Sequence, residues 1–338
     1  MKDMVSVVIP CRNEEKYIEK CLSSLLLQDH ENYEVIVADG LSEDRSAKII
    51  SGIAAQHPNI YLHKNPKKSS ASGLNVGIRN ASGEVIIILG AHTEVTSDFI
   101  SKNLHYLKNT GADVVGGVLN TVGEGYLGES ISFTLSSPFG TGSKFRYSNS
   151  AQYVDTVPFG AYRAAVFNKV GLFNEDIPRS EDLDLNHRIM NAGGKIYMDP
   201  EIKTTYYCRN SWFDFIKQNY GNGKDVILAF IKDQSSVSIR HLLPFCFILS
   251  FLILLSGSLF SSIARKLFIL EAIIYLLAIL IISVKLSMKN GIKYFPILPA
   301  VFAALHFSYG IGSLCAFHKH MVVRAMKIFQ GAGRVFIL

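Results

Sequence analysis

Met4-Val5-Ser6-Val7-Val8-Ile9-Pro10-Cys11-Arg12-Asn13-Glu14 is the stretch on which the reading of this 338-residue chain turns. A near-continuous apolar run closed by proline has the character of a strand buried on both faces. Apolar residues then recur at Ile18, Cys21, Leu22, Leu25 and Leu26 with the period of a helix, which makes a β-α unit. The pattern repeats outward: a strand over Tyr33 to Ala38, a helix over Ser46 to Ala55, a strand over Ile60 to His63, a helix over Ser72 to Ala81 and a strand over Val85 to Leu89. Strands alternating with helices predict an α/β fold with a mostly parallel sheet, and ligands gathered at the carboxyl ends of its strands.

The residues at those ends are polar and specific in type. Pro10, Arg12, Asn13 and Glu14 follow the first strand, Asp39, Gly40, Ser42 and Asp44 the second, and Gly90, Ala91, His92 and Glu94 the fourth. Ser42, Asp44 and Ser46 are also good turn formers and helix caps, but several polar clusters along one sheet edge mark a cleft. Strand alternation carried past Leu89 puts Gly90, His92 and Glu94 on one face. Asp113 to Leu119 reads as a further strand. The polar, glycine-punctuated stretch after it is expected to be a flexible, substrate-facing insertion. Val157 to Arg163 leads into a short helix, and Glu181-Asp182 opens another that runs to Ala192, where carboxylates suit the helix dipole.

The chain is 49% hydrophobic and 18% charged, and its apolar residues concentrate late. Leu242 to Ala264 and Tyr294 to Phe317 contain no Asp, Glu, Lys or Arg, and Leu267 to Val284 contains only Glu271. Runs of about 20 residues cross a hydrocarbon core, and three in succession exceed what one soluble core absorbs. The expected organisation is an α/β domain over 1–235, a membrane region of two to three helices over 240–318 and a basic, interfacial tail over 319–338. The N-terminus enters a strand directly, without an apolar leader, so the first domain is expected in the cytoplasm of a multi-pass protein of the inner (plasma) membrane. Three full spans would put Lys319, Arg324, Lys327 and Arg334 across the membrane from Lys285, Lys289 and Lys293, against the positive-inside rule. Either the third segment, with His306, Tyr309, Gly310 and Gly312, is re-entrant or interfacial, or the tail lies outside.

Five scattered cysteines suggest neither a disulfide framework nor a zinc site. The net charge of +6 comes from dispersed basic residues with no aromatic-basic motif. It fits anionic headgroups and a pyrophosphate-bearing substrate, and nucleic acid is not expected.

Taken together, these motifs resemble the family 2 glycosyltransferases with a GT-A fold, in particular the exopolysaccharide type related to succinoglycan-synthesis glucosyltransferases. The resemblance covers residues 5 to about 225. It is carried by Val7 to Glu15 (a P-x-x-N-E turn), Val37 to Asp44 (near V-D-G-x-S-x-D), Ser72 to Ile78 with Ala81-Ser82-Gly83, Phe159 to Arg163, Ser180-Glu181-Asp182-Leu183-Asp184-Leu185, and Arg209-Asn210-Ser211 through Gln218, Gly221 and Gly223.

The resemblance implies a nucleotide-sugar pocket lined by Pro10, Asn13 and Glu14, with Asp39 bonding a uridine-type base, Asn75 near the ribose and pyrophosphate, and Ala91 and Arg209 also at the nucleotide sugar. Arg209 and Lys217 are possible diphosphate partners, or ordinary surface cations. Lys67 and Lys68 either meet phosphate charge or form a solvated pair. Where the family carries D-x-D for a divalent metal, this chain reads Gly90-Ala91-His92. A weakened or atypical Mn²⁺ or Mg²⁺ site is therefore expected, held by His92 and completed by Glu94, and leaning to Mn²⁺ because imidazole suits it better.

The implied reaction is inverting transfer of a sugar to an acceptor hydroxyl, with Asp182 as general base and Glu181 positioning it or the acceptor. Two adjacent carboxylates are expected to repel and raise one pKa. The Q-x-x-R-W signature of processive synthases is absent after Gln218, which implies addition of one sugar at a time, to a lipid-linked saccharide. The competing readings are transfer to a polyprenyl phosphate and a catalytically silent paralogue. A dinucleotide-dependent oxidoreductase is set aside because no G-x-G-x-x-G follows the first strand.

Overall fold

A computed structural model describes residues 3–177, 181–232, 234 and 237–335. The chain divides into two compact units, one of residues 1–123 with 135–208 and the other of residues 124–134 with 209–338.

The first unit is built on one sheet. Its elements are β1 (Val5–Cys11), α1 (Ile18–Leu26), β2 (Tyr33–Asp39), α2 (Ser46–Ala54), β3 (Ile60–Lys64), α3 (Ser70–Asn80), β4 (Val85–Ile88), β5 (Thr93–Val95), α4 (Phe99–Thr110) and β6 (Val114–Val122). After α5 (Gly125–Leu135) come β7 (Gln152–Tyr153), β8 (Ala161–Arg163), α6 (Ala165–Val170), α7 (Glu181–Asn191) and β9 (Ile196–Tyr207). The strand order is β3-β2-β1-β4-β8-β6-β9-β5, with β7 on β9. β1 to β4 are mutually parallel, and β8 runs antiparallel between β4 and β6. Val5, Val7, Val8 and Ile9 are fully buried, as a central strand covered on both faces requires. α3 lies so close to β1 that a Cβ on Gly77 would stand 2.2 Å from Val8 Cγ1, so only glycine fits there. Strand order reverses at β1, between β2 and β4, which opens a crevice at the carboxyl ends of β1 and β4.

Two expectations are corrected in this unit and its neighbour. β4 stops at Ile88, and Ala91-His92 form a turn into the separate strand β5, which pairs antiparallel with β9. Strand alternation therefore does not place Gly90, His92 and Glu94. The turn is closed by Thr93, whose hydroxyl donates to the Gly90 carbonyl at 2.6 Å. The glycine-rich stretch after β6 is also more regular than expected, because α5 forms within it and buries Ile131.

The second unit gathers residues 124–134 of α5 with α8 (Trp212–Lys232), α9 (Ile239–Gly257), α10 (Ser262–Asn290) and α11 (Leu298–Val335). Among the described residues, three helices are long and apolar enough to cross a membrane: Ile239–Gly257, Ser262–Asn290 and Leu298–Val323. The first apolar run is cut at Ser258 to Ser261, because Ser261 caps α10 by accepting from the Ala264 N–H at 3.4 Å. Tyr294 is buried and stacks on Tyr126, with ring centroids 5.5 Å apart, and its hydroxyl bonds Glu129.

Candidate functional site

The loops after β1 and β2 are laced together by their polar side chains. Asn13 N–H donates to Ser42 Oγ at 3.0 Å, Glu43 N–H to Asn13 Oδ1 at 2.8 Å, and Glu14 N–H to Ser46 Oγ at 2.8 Å. Asp44 accepts from the Glu15 N–H at 3.1 Å. Asn13 at φ 56°, Leu41 at φ 55° and Phe159 at φ 49° are left-handed; the conformation is natural for asparagine and strained for the other two. Asp39 is buried beneath these loops and accepts both the hydroxyl (2.5 Å) and the N–H (3.1 Å) of Ser42. The expected nucleotide loops are thus one rigid assembly, with Pro10 packed near Gly73 of α3.

At the end of β4, Ala91 turns into the hydrophobic core, so any contact it makes with a nucleotide sugar runs through its backbone. His92 Nδ1 lies 3.1 Å from Glu14 Oε1, and its ring meets Tyr206 edge-on at 5.1 Å. Glu94 instead accepts the Tyr207 hydroxyl at 2.5 Å, and Tyr207 stacks on Tyr17 at 5.0 Å. The two residues expected to share a metal therefore take different partners. Among the described residues no group of three or more His, Cys, Asp or Glu is arranged to hold an ion. A cation beside a diphosphate takes one or two protein donors and completes its shell with phosphate oxygens and water, so what these residues lack is a metal centre built from protein alone.

Tyr206 leads to a residue that sequence reasoning missed. Arg146 donates from Nη1 to Thr121 Oγ1 at 2.6 Å and lies over the rings of Tyr206 (5.4 Å) and Phe145 (5.6 Å). Burial works against its charge, and no carboxylate among the described residues pairs with it. A guanidinium held in place without a counter-ion is a ready partner for a diphosphate.

Glu181 and Asp182 stand in the first turn of α7, and the Ser180 of their motif lies outside the described residues. Asp182 keeps an exposed surface, yet the protein packed around its carboxyl withdraws water and raises it above the ordinary carboxylate range. The Leu183 N–H, donating at 2.9 Å, offsets this only in part. Desolvation, not repulsion from Glu181, is the cause. Burial holds the phenol of Tyr162 on β8 protonated, and the charge of Asp182 adds to it. Arg188 fixes α7 by pairing with Asp184 at 2.8 Å and donating to the Leu172 carbonyl at 2.9 Å.

Asn75, expected near the ribose and pyrophosphate, is built into a structural clamp. It is buried, its Nδ2 donates to Phe173 O and Glu175 Oε1 at 2.9 Å each, and its Oδ1 accepts the Phe173 N–H at 2.9 Å. It clamps the loop before α7, and Lys67 joins that clamp through Glu175 at 2.7 Å. Asn75→Ala should lower stability by roughly 2–3 kcal/mol, because the Phe173 backbone groups lose their partners in a buried place. A thermal melt in detergent checks this. Arg209 and Lys217 belong to the second unit. Cys11 and Cys21 are inert: burial and nearby carboxylates push the Cys11 thiol up, and burial pushes Cys21 up to about 12.

Known proteins resemble this chain in sequence and in fold. A family model described as "Glycosyl transferase family 2" matches residues 6–171. The chain is 32% identical over 323 residues to a dolichyl N-acetyl-α-D-glucosaminyl phosphate 3-β-D-2,3-diacetamido-2,3-dideoxy-β-D-glucuronosyltransferase of Methanococcus voltae, covering 91% of this chain and 96% of that one. It is 28% identical to the succinoglycan biosynthesis protein ExoA of Rhizobium meliloti over 70% of this chain and 73% of that one. Among solved structures, a mannosyltransferase of Pyrobaculum calidifontis in complex with GDP-Man and Mn²⁺ superposes with a TM-score of 0.59 at 17% identity, covering 93% of this chain and 88% of that one.

Proposed function

This chain belongs to glycosyl transferase family 2, and on that premise we propose that it inverts the anomeric carbon of a nucleotide diphosphate sugar while passing the sugar, one unit at a time, to a hydroxyl of a lipid-linked saccharide. It is a glycosyltransferase with the GT-A fold. The observation that carries the finer reading is Asp182, an acidic residue at a helix start whose surroundings raise its carboxyl toward the range useful for a general base.

In the proposed reaction the acceptor hydroxyl gives its proton to the Asp182 carboxylate as its oxygen bonds the anomeric carbon. The bond from that carbon to the diphosphate oxygen breaks on the opposite face, and its electron pair leaves with the diphosphate. Arg146 meets the charge that develops there. Asp39, held by Ser42, supplies a buried carboxylate for a uridine-type base. A divalent cation held with the diphosphate would find its protein donors at Glu14 and His92, 3.1 Å apart, and would supply further positive charge to the leaving group.

Two features support a lipid-linked saccharide as the acceptor. The membrane helices hold the enzyme beside lipid, and the Methanococcus voltae relative is named for extending a sugar on a dolichyl phosphate. We place the first unit on the cytoplasmic face of the plasma membrane. Incubating the full chain in its membrane with labelled nucleotide sugars, with Mn²⁺, Mg²⁺ or a chelator, should give a lipid-extractable product lengthened by a single sugar. The new linkage should survive mild acid, as a glycoside does. Release of the newly added sugar itself by mild acid would mean a sugar phosphodiester, and would overturn the saccharide acceptor.

A further inference from the structure

Phe159 is held in a backbone shape that a bulky residue rarely takes. Its φ is 49°, where the Cβ of any residue but glycine crowds the chain. Its neighbours pin it there. Val157 is buried, with a Cβ on Gly116 falling 2.7 Å from its own, and the Gly160 carbonyl accepts the Ile88 N–H at 3.0 Å. Filling the core does not demand such strain, since an apolar side chain does that from an ordinary strand. Strain of this kind concentrates at ligand sites.

What the strain fixes is the position of the ring. β8 runs antiparallel to β4, so the residues just before Ala161 lie at the carboxyl end of β4, where the crevice opens. There the edge of the ring rests on Gly90: a Cβ on that glycine would stand 3.0 Å from Phe159 Cε1 and 3.3 Å from Cζ. The ring therefore fills the space that a side chain at position 90 would need. Both residues keep part of their surface open.

The ring is too far across the sheet to serve a nucleobase at Asp39. Asp39 ends β2, and in the order β2-β1-β4-β8 the two residues lie three strand spacings apart, roughly 14 Å. Phe159 stands instead between the two ends of the proposed reaction. Gly90 leads, two residues on, to His92 and its partner Glu14. Phe159 leads, three residues on, to Tyr162, which feels the charge of Asp182. A displacement with base and leaving group on opposite faces of the anomeric carbon puts the sugar ring between them.

We propose that the Phe159 ring, seated on Gly90, is the platform on which the C–H face of the transferred sugar rests, so that these two residues form a subsite for the sugar and not for the nucleotide. The proposal rests on the reading of the crevice as a nucleotide-sugar site. The C–H groups of a pyranose bury well against an aromatic ring, while its hydroxyls stay at the rim for polar partners.

Calorimetry on the full chain in detergent, without acceptor, tests it with UDP-N-acetylglucosamine, GDP-mannose, UDP and GDP. Phe159→Leu should weaken binding of the nucleotide sugar by roughly 10-fold, the worth of one good aromatic contact, and leave binding of the free nucleotide unchanged. Gly90→Ala, which pushes the ring off its seat without removing it, should have the same selective effect, and Phe159→Tyr should recover most of the affinity. Unchanged nucleotide binding also shows that each variant is folded. An equal loss for nucleotide and nucleotide sugar would make Phe159 a structural residue, and no loss for either would put the sugar elsewhere; each result overturns the proposal. A wild-type chain that binds none of the four would overturn the nucleotide-sugar reading of the crevice itself, and the proposal with it.

Discussion

Asp182→Asn is expected to slow sugar transfer by roughly 10²–10⁴-fold, the range that loss of a positioned general base gives, while the melting temperature at pH 7 stays level or rises. The two halves of that expectation come from one observation. The folded chain raises the Asp182 carboxyl above its ordinary value of 3.8, so it holds that proton more tightly than the unfolded chain does. The resulting stabilisation is fully present below the unfolded value and is lost as pH rises through the folded value, so at neutral pH the ionised group weighs against folding. Asparagine keeps the size and removes the charge. For the same reason the acidic limb of the wild-type rate profile should lie above the ordinary aspartate range and disappear from the residual activity of the variant. Assays of kcat/KM against pH and melts at pH 7 and below pH 4 check both. A large fall in melting temperature would make Asp182 a structural residue and would remove it from the mechanism.

Arg146→Gln should cut kcat/KM for the nucleotide sugar by roughly 10²-fold, comparable to the loss of one donor that stabilises transition-state charge. Arg146→Lys should recover part of it, because an ammonium supplies the charge without the planar fork. The wild-type side chain is held by Thr121 and two aromatic rings with no carboxylate beside it among the described residues, so its charge is available to a ligand. Binding of UDP and GDP measured by calorimetry should weaken in parallel. Undiminished binding together with undiminished kcat/KM would leave Arg146 outside the donor site.

The parts of this molecule that could be read from its sequence are those encoded locally. The Asn13 and Asp39 loops announce themselves because turn and cap residues must follow a buried strand, and the structure joins them through Ser42 and Ser46. The three helices long and apolar enough to cross a membrane declare themselves by length and composition. What escaped depends on pairing between distant residues. His92 meets Glu14 from 78 positions away, and the turn that aims it is set by Thr93, which strand alternation ignores. β8 inserts antiparallel between β4 and β6, a pairing that no local period encodes. The clamp that Asn75 makes with Phe173 and Glu175, about 100 residues on, is likewise invisible in its motif. Arg146 sits in a glycine-rich stretch without periodicity, and only the folded chain shows it beside Tyr206. The close approach of α8 to α11, where Gly223 meets Tyr309 and Gly312 meets Tyr220, is another pairing that only the folded chain shows.

The central claim is displacement at the anomeric carbon with Asp182 on the acceptor side and Arg146 at the departing diphosphate. It is tested most directly by the anomeric configuration of the product formed from an α-linked nucleotide sugar, read from the proton coupling of the transferred residue. Displacement from the opposite face predicts a β-linked product; an α-linked product, with configuration retained, would contradict it.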